Sequence, residues 1–360
     1  MSEQDAGSHV KVEKVDRCGF VTLSRPEAFN ALTLDMVEQI ETFYQTCLND
    51  PHIYGLVVES GSDQAFCAGA DVRGLLTMLP DNADDVLKYF HAEFQHNWTL
   101  QLYNKPNIPL IDGVVMGGGA GISVYGTHCI MGENAKFAMP EVNIGFIPDI
   151  GSSYYLSRLK GAMGLYLALT GMTIGAADCL YLGIATHTIS SDKYSQIKDA
   201  MIDAQPIDQV LEKLQDDYGR SELAGLQEAV DRIFTGDSLE QVFKKLQDEA
   251  DDGWSDHSDW ARSTEELLRT KCPLSLKIAF KQFQMAAGYS SLKEALVTDM
   301  RIISRIISEP DFAEGIRAVL IDRTNDPKWK HAAVEDVKDV EVDEFFAPLE
   351  TDYEFKDLKM

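Results

Sequence analysis

Glu141 and Asp149 stand eight positions apart in the stretch KFAMPEVNIGFIPDIGSSY, among apolar residues, glycines and prolines. No basic residue between Lys136 and Arg158 can pair with either. An acid in such surroundings loses hydration without gaining a counter-ion, which suits it to proton transfer or nucleophilic attack. Turn or capping acids would carry the same residue types. A second feature is the run Gly117-Gly118-Gly119-Ala120-Gly121, which follows a strand-like segment and opens a helix-like one. Such a turn aims backbone N–H groups and the positive end of a helix dipole at negative charge. It is not a phosphate loop: the G-x-x-x-x-G-K-[ST] pattern is absent, and Ile122 stands where G-x-G-x-x-G needs its third glycine. Glycines that let a helix pack closely on a sheet explain the run equally well.

Ala68-Gly69-Ala70-Asp71, in AFCAGADVRGL, forms another glycine turn at the end of a strand. Two loops that each offer an N–H can together make an oxyanion hole, the device acyl transfer needs. Other catalytic templates fail. There is no G-x-S-x-G elbow and no H-E-x-x-H. His91 and His96, with Glu93 between them, share one helix, but their five-residue spacing puts the imidazoles on different faces, so no metal is expected. Cys67 has no histidine near it in sequence and reads as a packed thiol.

The elements that must hold these groups follow from periodicity. Residues 10–24 alternate and end in GFVTLSRP, a strand closed by Pro26. TLDMVEQIETFYQTCLN has helical spacing with Thr33 as N-cap, IYGLVVESG reads as a buried strand, and NADDVLKYFHAEFQHNWTLQLYN reads as a long helix ending before Lys105-Pro106. PLIDGVVMGGGAGISVYGTH predicts one strand, a glycine turn and a helix, and HCIMGENAKFAMPE two short strands. Strands and helices alternate to about residue 190, which implies an α/β core. Helix formers and acids dominate from there on, so the chain divides into a core over 1–191 and a helical region over 192–360.

Charge and cysteine usage narrow the class. Thirty-two Lys and Arg against 58 Asp and Glu leave −26 over 360 residues, which argues against nucleic acid and anionic membranes as partners. No stretch has the apolar length of a membrane span. The six scattered cysteines lack a C-x-x-C pair and suit reduced, buried thiols. With a polar, acidic N-terminus, MSEQDAGSHV, these traits predict a cytoplasmic protein.

Four segments then carry a resemblance: LSRPEAFNALTLDM (23–36), AFCAGADVRGL (65–75), KPNIPLIDGVVMGGGAGIS (105–123) and FAMPEVNIGFIPDIGSSYYLSRLKG (137–161). In that order they resemble the crotonase (enoyl-CoA hydratase/isomerase) superfamily, and within it the 3-hydroxyisobutyryl-CoA hydrolase branch. The ending PDFAEGIRAVLIDRTNDPKWKHA (310–332) and the long helical region resemble that branch. Hydratases carry a Glu where this chain has Gly121, and usually a Gly where it has Asp149. The resemblance implies a spiral of ββα units with a helical C-terminal region. It also implies an acyl-CoA substrate, no cofactor beyond the CoA the substrate brings, no metal, and a trimer-based homo-oligomer. The N–H groups of Ala68 and Gly118 would form the oxyanion hole. Glu141 would be nucleophile or general base, Asp149 would bind the 3-hydroxyl or assist proton transfer, and Glu93, Gly69, Asp71 and Gly117 would contact substrate. Glu93 reads equally well as an exposed helix charge. An enoyl-CoA hydratase or isomerase, and a non-catalytic acyl-CoA-binding protein, are the alternatives. Glu27 departs from the pattern: many relatives have a Lys there near the CoA phosphates, so either Arg25, Arg73 or a C-terminal Lys compensates, or CoA is held more weakly, or the carrier differs.

Overall fold

The computed structural model describes residues 9–79 and 81–358. The reading of the polar N-terminus falls largely on residues 1–8, outside the described residues.

The first predicted strand is two. β1 (Val10–Val15) and β2 (Cys18–Leu23) pair antiparallel across a turn in which Asp16 takes φ 47°, a left-handed conformation that Asp tolerates better than most residues. β3 (Gly55–Ser60) and β4 (Ala65–Cys67) follow, then β5 (Asn107–Ile111) and β6 (Val114–Met116), β7 (Ile130–Met131) and β8 (Lys136–Ala138), β9 (Ile174–Gly175) and β10 (His187–Thr188). One sheet has the order β1-β2-β3-β5-β7-β10 and the other β4-β6-β8-β9. The consecutive pairs β3/β4, β5/β6 and β7/β8 each place their first strand in the large sheet and their second in the small one, which is how the chain spirals. PLIDGVVM therefore is not the single strand its apolar run predicts. It breaks at Gly113, where φ is +96° and a Cβ would lie 2.7 Å from the Gln64 carbonyl oxygen.

Helices connect the turns of the spiral: α1 (Leu34–Leu48), α2 (Val72–Met78), α3 (Ala83–Leu102), the short α4 (Gly118–Gly121), α5 (Ser152–Leu156), α6 (Met163–Thr170) and α7 (Ala176–Leu182). Thr33 caps α1 as expected, its Oγ1 accepting the Met36 N–H at 3.3 Å. After β10 the described chain is helical: α8 (Tyr194–Ile202), α9 (Ile207–Leu214), α10 (Gln227–Ile233), α11 (Leu239–Asp251), α12 (Ser258–Arg269), α13 (Pro273–Ala286), α14 (Leu292–Ile306), α15 (Pro310–Ile316) and α16 (Asp339–Phe346). These helices do not stand apart from the spiral. The main hydrophobic core runs from Val10 through Phe94, Phe146 and Phe312 to Phe355. Both α13 and α14 pack on α5, α14 also packs on α3, and α15 packs on the 3-10 turn Glu141–Ile144. No described helix is long and apolar enough to cross a membrane.

Candidate active site

β4, β6 and β8 lie side by side in the small sheet and run parallel, with Ala65 opposite Val114 and Met116 opposite Ala138. Their carboxyl ends therefore release three loops at one place: 68–71, 117–118 and 139–141. Loops beyond the carboxyl ends of parallel strands are where open α/β sheets gather ligand-binding groups. Glycine lets these loops touch. Gly69 has φ +98°, and a Cβ on it would lie 3.0 Å from the Met116 carbonyl oxygen and 3.3 Å from the Gly118 nitrogen. Gly117 has φ +49°, and its Cβ would come within 2.9 Å of Glu141 Oε1. A Cβ on Gly118 would overlap Glu93 Oε1. Two carboxylates thus lean on one glycine turn from opposite elements.

Glu93 reaches the turn from α3. It is 1% exposed, so its reading as a solvated helix charge falls. Tyr89, one turn earlier on the same face, donates its hydroxyl to Glu93 Oε1 at 3.1 Å. Glu141 opens its 3-10 turn straight after β8 and is 6% exposed, while Asp149 is 5% exposed. Among the described residues, Glu93 Oε2 and Glu141 Oε2 have no hydrogen-bond partner. Burial pushes the Glu141 carboxyl well above its ordinary range, and the charge of Glu93 pushes it further. Burial raises Glu93 too, against the pull of the Tyr89 hydroxyl. Asp149 is raised by burial and then by Glu93, Glu141 and Asp299. The three predicted acids therefore form one mutually repelling cluster, with no cation paired to it among the described residues. Such a cluster retains a proton near neutral pH and can pass it on.

Asp149 is held by a strained turn. Ile150 has φ +57°, a left-handed conformation that a β-branched side chain rarely adopts, and Gly151 follows with φ +72°. Three groups pin it. The Tyr125 hydroxyl donates to the Ile150 carbonyl oxygen at 2.6 Å, and the Gly151 N–H donates to Asp299 Oδ2 at 2.7 Å. Gln282 Nε2 in turn donates to Asp299 Oδ1 at 2.8 Å.

Two expected roles are corrected. The Ala68 N–H already donates to the Phe29 carbonyl oxygen at 3.0 Å, so it is not available to a substrate oxygen. Two residues on, the Ala70 N–H has no acceptor among the described residues. Asp71 caps α2 by accepting the Gly74 N–H at 3.0 Å and pairs with Arg25 at 2.8 Å, which makes it a brace for the loop rather than a substrate contact. Arg25 also lies 3.8 Å from Glu27, and Arg73 donates to the Leu320 carbonyl, so both arginines named as compensation for Glu27 are engaged within the protein. Cys67 is buried, and burial pushes its thiol up to about 12, which makes it inert as a nucleophile. His91 is half-buried and stacks on Phe355, whereas His96 is buried against Glu41 at 2.8 Å, on different faces of α3 as its spacing predicts. Sequence reading missed Tyr89 and Asn97. They fall at i−4 and i+4 from Glu93 on α3, so the helical period itself was the signal. It also missed Asp299, for which no local pattern exists.

A family model described as Enoyl-CoA hydratase/isomerase matches residues 18–346. Among curated proteins, the chain is 36% identical to the mitochondrial 3-hydroxyisobutyryl-CoA hydrolase of Danio rerio, across 100% of this chain and 94% of that one. It is 33% identical to the human protein of the same name, across 96% and 90%. Among solved structures, a carnitinyl-CoA dehydratase from Mycobacterium thermoresistibile superposes with TM-score 0.90 at 31% identity, covering 97% of this chain and 99% of that one. An enoyl-CoA hydratase from Rhodobacter sphaeroides superposes with TM-score 0.86 at 31% identity, covering 95% and 98%. The expectation of a cytoplasmic protein is overturned, because these curated relatives are named as mitochondrial. Free buried thiols report a reducing interior and do not tell one such compartment from another. From the length of the family match and the identity across the whole chain, the protein belongs to the enoyl-CoA hydratase/isomerase (crotonase) family.

Proposed function

We propose that this chain hydrolyses short 3-hydroxyacyl-CoA thioesters, 3-hydroxyisobutyryl-CoA foremost, to the free acid and CoA, and that it serves valine breakdown. The observation that carries this reading is the cation-free cluster of Glu93, Glu141 and Asp149 on a glycine turn whose position 121 has no side chain. The relatives named as 3-hydroxyisobutyryl-CoA hydrolases across the whole chain support it.

The thioester carbonyl oxygen sits between the Gly118 N–H and the Ala70 N–H, the latter in place of Ala68. Gly118 begins a helix, so its N–H has no intrahelical acceptor. Gly69 and Gly117 let the substrate approach the backbone. Glu141 acts at the carbonyl carbon by one of two routes. As general base it takes a proton from water while the water oxygen bonds to that carbon. As nucleophile its own oxygen bonds there, and water later cleaves the mixed anhydride. In both, the oxyanion collapses and the C–S bond breaks; on the first route Glu141 passes its new proton to the departing thiolate, and on the second Glu93 donates one and recovers it from the water that cleaves the anhydride. Asp149 holds the 3-hydroxyl and Glu93 flanks the acyl group. CoA enters as part of the substrate, and the chemistry calls on no further cofactor. We propose a division of labour at residue 191: the spiral bears the acids, and the helical region over 192–360 closes over them. A trimer-based assembly completes the reading and is tested by light scattering.

The test is free-thiol release across a panel of 3-hydroxyacyl-, enoyl- and saturated acyl-CoAs. Release is expected to be fastest with 3-hydroxyisobutyryl-CoA, and Glu141→Gln should lower kcat by about 10²–10⁴-fold. Near-normal turnover in that variant would sink the reading. The hydratase and dehydratase names of the two superposing structures motivate a second reading, hydration of a 2-enoyl thioester. Loss of enoyl absorbance without thiol release would select it. Tight binding with no turnover of any thioester would select the non-catalytic alternative.

A further inference from the structure

α3 brings a second polar side chain to the glycine turn. Asn97 follows Glu93 by one helical turn, on the same face, and is 0% exposed. Among the described residues neither its Oδ1 nor its Nδ2 has a hydrogen-bond partner. The missing Cβ of Gly121 would lie 2.8 Å from Asn97 Nδ2 and 3.2 Å from Ile150 Cγ2, so the amide fills the room that any side chain at 121 would need. Gly118 and Gly121, three residues apart on α4, thus form a groove into which Glu93 and Asn97, four residues apart on α3, are fitted.

A buried amide that pairs with nothing carries the full desolvation cost of each unpaired atom, which a core Leu would avoid. Asn97 is not a cap and makes no bridge between elements. Its neighbours on this face are Glu93, whose Oε2 is also unpaired, and Ile150, which directly follows Asp149. Glu141, whose Oε2 is also unpaired, meets the same glycine turn through its Oε1 at Gly117. Two carboxylate oxygens and one amide, all buried and all unpaired, are a complementary set for one small molecule that both donates and accepts.

We propose that Asn97 is a positioning residue that, with Glu93, holds the hydrolytic water against Glu141. Nδ2 donates to one lone pair of the water. One water proton goes to Glu93 or to Asn97 Oδ1 as a hydrogen bond, and the other points to the base. The remaining lone pair forms the new C–O bond. In direct hydrolysis the transferred proton goes to Glu141. When water cleaves the mixed anhydride, it goes to Glu93, and the Glu141 carboxylate is the leaving group. The inference rests on the hydrolase reading and assigns its water.

The test compares the full-length protein with Asn97→Leu, which keeps the heavy-atom count and branching but is bulkier and has no polar atom, and with Asn97→Ala in case the leucine variant does not fold. Hydrolysis of 3-hydroxyisobutyryl-CoA is run with added hydroxylamine, which attacks the same acyl carbon through nitrogen and yields hydroxamate and thiol. Expected are a kcat for hydrolysis lowered by about 10²-fold, as for a misplaced reactant, an unchanged or higher melting temperature, KM within about threefold, and a raised hydroxamate-to-acid ratio. If kcat for hydrolysis stays near the wild-type value, or if hydroxamate and acid fall together, Asn97 is a packing residue and the proposal is wrong. A wild-type protein that releases no thiol from any thioester would instead remove the hydrolase reading, and the water with it.

Discussion

Glu141 sits beside Glu93, neither paired to a cation among the described residues, and burial with that like charge pushes its carboxyl up to about 8. Both of its catalytic routes need the carboxylate, so activity is lost as pH falls through the raised value. The acidic limb of kcat/KM should therefore lie near neutrality or above it, not close to the 4.5 of an ordinary Glu. The midpoint belongs to the cluster of Glu93, Glu141 and Asp149. Glu93→Gln removes one negative neighbour, which lowers the proton affinity of Glu141, and should shift the limb to lower pH. A profile measured on both proteins decides it: an unmoved limb means that Glu93 does not face Glu141 in the working enzyme. The acids at 141 and 149 were legible because their surroundings lack any basic residue. The free N–H of the 68–71 loop was misplaced by two positions, since which N–H a loop leaves unpaired depends on a partner far away, here the Phe29 carbonyl.

The turn that carries Asp149 is held from α14, and its stability should depend on that helix. Ile150 at φ +57° costs roughly 1–2 kcal/mol relative to a right-handed conformation. Asp299 offsets this by accepting both the Gly151 N–H and Gln282 Nε2 while completely buried. Burial pushes the Asp299 carboxyl up to about 7, against both hydrogen bonds, so the acceptor works close to its own titration. Asp299→Leu would strand two buried donors and should destabilise the protein by about 2–5 kcal/mol. Asp299→Asn keeps one acceptor oxygen for the Gly151 N–H and should lose less. Urea unfolding of the two variants tests the order, and equal losses would mean that the turn does not rely on this acceptor. Nothing in the sequence around Asp299 announces this duty, because its partner lies 148 positions away. The strands were easier to find than to divide. PLIDGVVM reads as one apolar run, and only the close approach of Gln64 at Gly113 shows why it must serve two sheets.

α15 packs the helical region onto the turn that carries Glu141. A Cβ on Gly315 would overlap the Ile144 backbone, the Phe146 and Phe312 rings lie 5.2 Å apart, and the Cys272 N–H donates to the Val142 carbonyl oxygen at 3.1 Å. The change to helix after residue 190 was plain from composition. Its close packing on Glu141 was not, because it is made by ordinary apolar residues that match only once the chain is folded. The same chain carries −26 overall, and an acyl-CoA is itself a polyanion. Arg25 is already shared between Asp71 and Glu27, so it has little free charge to offer a nucleotide. Long-range repulsion then slows encounter, and salt screens it over about 10 Å at 0.1 M. KM for acyl-CoA should accordingly fall as ionic strength rises from about 0.01 to 0.15 M, while kcat stays constant. Glu27→Lys replaces an exposed carboxylate beside Arg25 with a cation and should lower KM at low salt, flatten or invert the salt dependence, and leave kcat unchanged. Steady-state kinetics of both proteins across that range are the check. If KM rises with salt in the unmodified chain, attraction to a cationic patch governs binding, and Glu27 does not set the fit for CoA.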